Sequence, residues 1–570
     1  MGNSGSVFFL ILRRMRVPLI VLIVIYAISV LGLTLVPGVD ANGQPAPALS
    51  FFHAFYFISY TATTIGFGEI PNAFSDAQRL WVIVCIYLTV IGWSYSIITL
   101  LALVQDKAFQ NVLVNARFAR RVRHLHEPFY LVCGCGETGA LVCRALDELN
   151  IRFVVIESRE ARVQALDLED FKTDVPALAA DAQQPGILEQ AGLGHAKCRG
   201  VLALTNDDNA NLAIAIAVRL LVPDLPVLAR AESPMTEANM ASFGTHHIIN
   251  PYARFADYLG LAIEAPNSMR LIEWLTGLPG QHLPPIRRPP TGKWIVCGHG
   301  RFSRPVIRQL ADHAVQVCVV TPEPGGAVAP GFRHVAGLGT EAVTLQAAGV
   351  EQAVGLVAGT DHDVNNLSIA MTAKDLNPSL FIVARQNWVA NEALFKAFEA
   401  DFTMVPSRIV AHESLATIIT PLMAAFLAEV RRRPDVWAAD ACTRLEEVCG
   451  GVVPLVWDVE IDAQSAPAIV HQLTQGPVSL QVLLQSFENR EEALELVPLL
   501  LVREGASMVF PETTTALCAG DALLFAGSAE VREKQRMALS NANALEYLLT
   551  GQDHPAGLVW QWLTARSPRT

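Results

Sequence analysis

The sequence predicts a multidomain chain: an all-α membrane part of two spans with a short re-entrant helix between them, then two α/β halves with parallel sheets, then a small α+β lobe. Three observations carry this reading. Val17–Val36 and Leu80–Val104 contain no charged residue; residues 129–277 and 293–430 repeat each other; and beyond residue 430 the alternation of strands and helices gives way to strands joined by turns. At 570 residues, 52% of them hydrophobic and 17% charged, the chain can bury several cores. A formal net charge of −12 argues against a general nucleic-acid binder, and no nucleic-acid partner is expected. The ten cysteines are scattered, mostly in apolar strand-like runs (Cys133, Cys297, Cys318), as buried thiols are, and not as a disulfide framework. Cys133 and Cys135 have neither a second cysteine pair nor a nearby histidine to complete a metal site.

Each apolar run is long enough to cross a hydrocarbon core of about 30 Å as a helix. Arg13, Arg14 and Arg16 precede the first run, and Lys107, Arg117, Arg120, Arg121 and Arg123 follow the second. No Lys or Arg lies between Val17 and Gln78, so both termini are expected on the cytoplasmic side of the cell (inner) membrane. The first run is too long for the apolar region of a signal peptide, although Ala46-Pro47-Ala48 looks like a cleavage site. The opening MGNSGS matches an N-myristoylation pattern that a spanning helix makes redundant.

Between the spans, the aromatic stretch at residues 49–60 is expected to be a helix that dips into the membrane without crossing it, and Thr64-Ile65-Gly66-Phe67-Gly68 follows. Non-helical backbone at membrane depth is tolerated only where protein buries its carbonyls or where they line a wet cavity. Alternating glycines admit backbone angles closed to other residues, so that successive carbonyls can point one way and replace the water shell of a cation. This stretch resembles the selectivity filter TVGYG of potassium channels, with Ile for Val and Phe for Tyr. The resemblance implies a two-span prokaryotic potassium channel, with K⁺ coordinated by Thr64, Ile65, Gly66 and Phe67, and a pore domain over residues 1–104. It also implies a homotetramer, since a ring of carbonyls needs several copies around an axis. Phe67 lacks the hydroxyl of the usual Tyr, and Glu69 replaces the usual Asp. Gly92, the only glycine of the second span, is a candidate gating hinge, about one helical turn later than the family's usual one; close helix packing is the alternative.

The repeat is direct: FYLVCGCGETGALVCRALDELNIRFVVIES runs parallel to KWIVCGHGRFSRPVIRQLADHAVQVCVVTPE, and the matching segments that begin at Gly200 and Gly355 keep the same register. Buried strands alternating with helices predict a doubly wound, Rossmann-like parallel sheet in each half. The tandem pair behind two spans resembles the RCK (regulator of K⁺ conductance) module, here as residues 129–277 and 293–430, implying an eight-RCK cytoplasmic ring around a tetramer. Residues 105–128 would link pore to ring, and the Pro-rich residues 278–292 would link the halves. Residues 431–540, with strands expected at Val453–Ile461, Val478–Leu484 and within Val497–Gly527, resemble the C-terminal lobe of RCK and TrkA-type proteins; the tail 541–570 has no assignment.

In the first half, Gly134-x-Gly136-x-x-Gly139 follows a strand and opens a helix, and Glu157 ends the next strand. Glycine at 134 and 136 lets backbone N–H groups approach a pyrophosphate, while Glu157 can accept hydrogen bonds from ribose hydroxyls and would repel a 2′-phosphate. The RCK resemblance adds Asp181, Thr205 and Asn206 as residues lining the cleft, with loop capping the alternative for each. An adenine nucleotide, NAD or ADP/ATP, is the expected ligand. In the second half Gly298-x-Gly300 survives, but Ser303 replaces the third glycine, Thr321 the ribose acid and Leu338 the residue aligned with Asp181, with Glu323 two residues beyond as a partial substitute. A structural Rossmann fold with a different or absent ligand is expected there.

Neither half carries an inserted catalytic domain, and no Ser-His-Asp, zinc or Walker motif occurs, so the chain is not expected to be an enzyme. The nucleotide reads as a regulatory ligand of a channel. Two other readings are a nucleotide-sensing subunit of another cation transporter and a membrane-anchored NAD-dependent oxidoreductase. Ca²⁺ remains an open ligand, because no carboxylate spacing assigns it a site.

Overall fold

A computed structural model describes the chain except for residues 1–2, 40–43, 70–72, 278, 284–287, 314, 323–330 and 553–570. It divides into two compact units, Met1–Leu125 and His126–Thr570.

The first unit contains α1 (Asn3–Leu35), a two-residue pair β1 (Gly38–Val39) and β2 (Pro45–Ala46), α2 (Phe51–Ala62), α3 (Asp76–Gln105) and α4 (Lys107–Arg123). Met15–Leu35 and Asp76–Gln105 are long and apolar enough to span a membrane. The second helix begins ahead of its charge-free run because Ser75 and Gln78 form a reciprocal capping box. α1 and α3 approach closely at Gly32, where a Cβ would lie 2.0 Å from the Trp81 ring. Trp81 donates its indole N–H to the Ser29 carbonyl at 3.2 Å. Ala54 and Ile58 of α2 are fully buried against Val30, Leu33 and Cys85, while Ile23, Leu31, Ile91 and Ile98 face outward. Outward apolar faces are what a helix in lipid or against further copies presents.

In the second unit the first sheet is formed by β3 (Phe129–Cys133), β4 (Arg152–Glu157), β5 (Ala177–Ala179), β6 (Cys198–Ala203), β7 (Val227–Arg230) and β8 (His247–Ile249). Its order is β5-β4-β3-β6-β7-β8 and every pairing is parallel. Its helices are α5 (Glu137–Glu148), α6 (Glu160–Asp167), α7 (Pro185–Gln190), α8 (Asp208–Leu221), α9 (Pro234–Ser242), α10 (Pro251–Glu264) and α11 (Pro266–Thr276). The second sheet repeats this with β9 (Lys293–Cys297), β10 (Gln316–Thr321), β11 (Arg333–Ala336), β12 (Gly355–Ala358), β13 (Phe381–Arg385) and β14 (Phe402–Met404), in the order β11-β10-β9-β12-β13-β14. Its helices are α12 (Ser303–Asp312), α13 (Ala342–Ala348), α14 (Asp363–Leu376), α15 (Glu392–Phe398), α16 (Pro406–Ile419) and α17 (Pro421–Arg432). Strands such as FYLVC and KWIVC are apolar throughout because helices cover both sheet faces.

The two halves exchange helices. Tyr252, Phe255, Ala256 and Leu259 of α10 share a core with Trp294, Phe302, Val306 and Leu310 of the second half. Reciprocally, Val410, Ala411 and Leu415 of α16 share a core with Val132, Val142 and Leu146 of the first. The exchanged helices are tied together by Tyr258, which donates its hydroxyl to Glu413 at 2.9 Å, and by Arg254, 3.2 Å from the same carboxylate. α16 and α17 are apolar as well, but their apolar faces lie in these protein cores.

The lobe after α18 (Asp435–Cys449) has β15 (Leu455–Glu460), α19 (Pro467–Leu473), β16 (Leu496–Arg503), β17 (Ala506–Val509), β18 (Ala522–Gly527), α20 (Ala529–Ser540) and α21 (Ala542–Thr550). Its antiparallel sheet runs β15-β18-β16-β17. One face packs on α11, α17 and α18, with Trp274 fully buried; the other packs on α19, α20 and α21. The strand expected at Val478–Leu484 is not formed: Leu480–Leu484 is a 3-10 turn. After one bridge, Ser479 to Ala516, the chain tightens so that Leu480 and Leu483, three apart and therefore on one face of such a turn, are both buried.

Candidate functional site: a carbonyl loop and a Rossmann cleft

At the end of α2 the backbone takes positive φ at every second residue: Thr64 (61°), Gly66 (65°) and Gly68 (74°). The loop's N–H groups turn back to the helix, Ile65 and Gly66 donating to the Tyr60 carbonyl at 2.9 and 3.3 Å and Thr64 to that of Thr61 at 3.1 Å. Among the described residues, the carbonyls of Thr64, Ile65, Gly66 and Phe67 accept no hydrogen bond. A run of four unpartnered carbonyls is costly unless an ion or water takes them. Glu69 is held from the same helix: Tyr56 donates its hydroxyl to Glu69 Oε2 and Tyr60 donates to the Glu69 carbonyl, both at 3.1 Å. The Phe67 ring packs edge-on against Tyr60, with centroids 5.9 Å apart. Two hydroxyls from α2 therefore act where Phe67 has none. Tyr56 and Tyr60, one helical turn apart, were the available sequence signal for this and went unread.

Gly92 is buried in an uninterrupted α3, and a Cβ there would lie 2.6 Å from Ile25 Cδ1 of α1. Its missing side chain makes room for the first span.

In the first half the glycines have separable roles. Gly134 has φ 92°, and a Cβ there would press on the Thr205 backbone at 2.9 Å. At Gly139 a Cβ would lie 2.1 Å from the Gly134 carbonyl oxygen, so the turn and α5 can approach only without it. Gly136 caps α5 in an extended conformation, and a Cβ there would meet only the Arg162 guanidinium, 3.2 Å away. Glu157 is buried, and its carboxylate accepts from the N–H groups of Cys135 (2.7 Å) and Arg159 (3.0 Å) and from the Ser158 hydroxyl (3.1 Å). Three of about four acceptor positions are thus taken, and the fourth, on Oε2, can accept from one further donor. Arg162, 3.7 Å from Glu157, stands between this acid and the N-terminus of α5.

Gly134, Gly136, Glu157 and Arg162 line a cleft of about 550 Å³ together with Asp181, Thr205 and Asn206, while Gly139 lies outside its lining. Asp181 accepts from the Gln183 N–H at 2.9 Å, and the Thr205 hydroxyl is 2.8 Å from Asn211 Oδ1, so both also shape their own loops. The second half contributes Arg301, Asp361, Arg385 and Trp388 to the same cleft. The halves meet there: Val389 N–H donates to Glu137 Oε1 at 3.0 Å, and Arg301 pairs with Glu232 at 2.9 Å. Burial raises the Glu137 pKa, opposed by the Val389 N–H.

Sequence reading missed the buried Asn211, which bonds the carbonyls of Thr205 (3.0 Å) and Arg230 (2.9 Å). Asn366 repeats this with Thr360 (2.9 Å) and Arg385 (2.7 Å), and Asp208 and Asp363 each cap the loop after the next strand. The internal repeat carried that signal, since these residues occupy matching positions.

In the second half Gly298 has φ 103° and Ser303, fully buried, bonds the Gly359 carbonyl at 3.2 Å. At Gly300 a Cβ would meet only Asp361, 4.0 Å away, Thr321 is buried without a carboxylate to offer, and Leu338 is exposed. Glu323 lies outside the described residues. Among the described residues no cluster of three or more His, Cys, Asp or Glu could hold a metal ion.

Comparison with known proteins agrees with this anatomy. Residues 19–106 match the ion channel family model, and residues 130–251 and 294–406 each match the TrkA-N domain model. The matches thus place a segment similar to an ion-channel module ahead of two segments similar to TrkA-N domains. Potassium channel protein 1 of Methanocaldococcus jannaschii is 27% identical over 203 residues, 35% of this chain and 59% of that protein. Probable potassium channel protein 2 of the same organism is 24% identical over 226 residues, 40% of this chain and 64% of that protein. The match therefore spans less than two thirds of either relative. Among solved structures, the GsuK channel bound to NAD aligns over 94% of this chain and 100% of its own, at 16% identity and a TM-score of 0.44. GsuK bound to ADP aligns over 72% and 99%, at 21% identity and a TM-score of 0.41.

Proposed function

We propose that the chain is the subunit of a potassium-selective channel, not an enzyme, whose opening is set by an adenine nucleotide bound in the first Rossmann cleft. The carbonyl run Thr64–Phe67, without hydrogen-bond acceptance among the described residues and built on alternate positive φ, is the single observation that supports conduction most directly. Four copies around an axis would place these carbonyls as successive rings, with Thr64 adding its hydroxyl, in an inner membrane with both termini cytoplasmic and the eight RCK halves as a ring below. Gly92 would serve as hinge only if bending there released Ile25 from its seat.

NAD, ADP or ATP suits the cleft: its phosphates at the N-terminus of α5 beside Gly136 and Arg162, its ribose on Glu157. Moving a gate from 1:99 to 99:1 requires about 5.5 kcal/mol, or on the order of 1.4 kcal/mol for each of four equivalent sites, an ordinary allosteric coupling. Residues 105–128, mostly the helix α4, would carry ring expansion to the second span.

The test is the full chain reconstituted in liposomes, with K⁺ and Na⁺ fluxes followed while NAD, ADP, ATP and Ca²⁺ are varied on the ring side. K⁺-selective flux that one nucleotide changes by tenfold or more is expected. Equal Na⁺ flux refutes potassium selectivity, no flux under any nucleotide refutes conduction, and K⁺ flux indifferent to all nucleotides refutes gating alone.

A further inference from the structure

A second cavity of about 520 Å³ lies between α10, α11, α15, β14 and α16, and shares no lining residue with the nucleotide cleft. Phe255, Leu259, Ile272, Phe395 and Phe402 give it apolar walls. Four carboxylates line it, Glu273, Glu392, Glu399 and Glu413, against two cations, Lys396 and Arg408.

The pairing inside the cavity leaves an excess of negative charge. Glu392 holds both cations, Lys396 at 2.7 Å and Arg408 at 2.6 Å. Glu413 is held by Arg254 at 3.2 Å and by the Tyr258 hydroxyl at 2.9 Å. The carboxylates of Glu273 and Glu399 make no ion pair or hydrogen bond among the described residues. The Glu273 side chain is exposed at the cavity wall; the protein packed around its carboxylate raises its pKa, and Arg270 partly offsets the effect. Glu399 ends α15 at φ 55°, a conformation that costs a non-glycine residue about 1 kcal/mol. His412 lines the same space and is kept neutral by burial and by Arg408. The carboxylates do not converge as a metal site.

We propose that this cavity binds a small organic cation, an amine or amidine on an apolar body about the size of one ring, with its charge on Glu273 and its body against Phe255, Ile272 and Phe395. An apolar cavity with a few polar groups is the usual form of a small-molecule site, and a cation on the unpaired Glu273 carboxylate would supply the counter-charge that side chain lacks. The site goes beyond the nucleotide reading. Because α16 brings Arg408, His412 and Glu413 to the cavity and Val410 to the core of the first half, an occupant would bear on both halves.

The experiment is calorimetric titration of the detergent-purified full chain with 2-phenylethylamine, 2-phenylethanol and 3-phenylpropionate, which share a ring and differ in charge. The amine is expected to bind saturably, the alcohol at least tenfold more weakly and the acid not at all. E273Q should weaken the amine tenfold or more while leaving the melting temperature and NAD titration as in the parent chain. Equal affinity for the three probes, no amine binding, or amine binding that survives E273Q, as binding in the pore would, overturns the proposal. Failure of NAD to bind either protein would count against the nucleotide reading and leave this result standing.

Discussion

Replacing Gly136 and Gly139 separately by alanine distinguishes a cleft built for phosphate from a turn built only to fold. Gly136 has φ −75°, which alanine adopts freely, and its added methyl would meet only the mobile end of Arg162 at 3.2 Å. The fold should therefore tolerate G136A within about 0.5 kcal/mol. That methyl would nonetheless stand over the N-terminus of α5, where a phosphate must come close to backbone N–H groups. Loss of one charge-assisted hydrogen bond costs about 1.5–3 kcal/mol, or roughly 10- to 150-fold in affinity. G139A is the converse: its Cβ would lie 2.1 Å from the Gly134 oxygen and 3.0 Å from its carbon, both backbone atoms, so the turn must open by about an ångström. A strained insertion of this kind costs about 1–3 kcal/mol or more of stability. Calorimetric NAD and ADP titrations on the purified full chain, beside thermal melts, read both quantities. G136A should bind more than tenfold more weakly with its melt unchanged, and G139A should melt lower. If G136A binds nucleotide as tightly as the parent chain, the phosphate is not at α5.

Four further outcomes follow from the same geometry. Alanine at Gly66 or Gly68, where φ is 65° and 74°, should abolish K⁺ flux in liposomes without lowering yield, since each costs about 1–2 kcal/mol of local strain and turns a carbonyl. Y56F removes the hydroxyl on Glu69 Oε2 and should shorten single-channel open times, while the reversal of bilayer ionic selectivity should stay near the parent value. D521N should lower the melt of the C-terminal lobe: Asp521 is fully buried and accepts two 2.8 Å bonds from Arg503, but Arg503 is 38% exposed, so about 2 kcal/mol is expected, less than for a fully buried pair. His412, with its pKa lowered from 6.5 by burial and by Arg408, binds its proton more readily in the unfolded chain. Its contribution to stability is complete above pH 6.5 and lost as pH falls toward the lowered folded value, so H412Q should lessen the fall in melting temperature on acidification below pH 6.5.

Much of the architecture was legible because it is written in local pattern. The absence of charge over Val17–Val36 and Leu80–Val104 needs no tertiary partner to imply a span, and the duplicated strand–turn–helix segments announce two parallel sheets by period alone. The glycines of both turns were readable for the same reason: Gly134 and Gly298 sit at φ 92° and 103°, which few other residues adopt. Val478–Leu484 misled because an apolar run with β-branched residues fits a strand or a tight turn equally well, and the choice fell to what Leu480 and Leu483 could reach. Tyr56 and Tyr60 were passed over because an aromatic in a membrane helix is ordinarily lipid-facing or core, and only the fold brings Glu69 to their hydroxyls.

The sequence by itself determined the order of parts, the carbonyl-rich loop and the Gly134-Gly136-Gly139 turn, since each depends on residues within a few positions of one another. Tertiary structure decided what depends on distance along the chain. α10 and α16 fill each other's halves, although residues 129–277 and 293–430 read as self-contained repeats. Similar apolar helices following similar sheets leave a pattern that cannot say which sheet each covers; only side-chain fit, as at Gly260 against His313, where a Cβ would come within 2.9 Å, settles the partner. The same exchange brings Arg301, Arg385 and Trp388 of the second half to the Gly134–Gly136 cleft of the first, a site no single stretch of sequence contains.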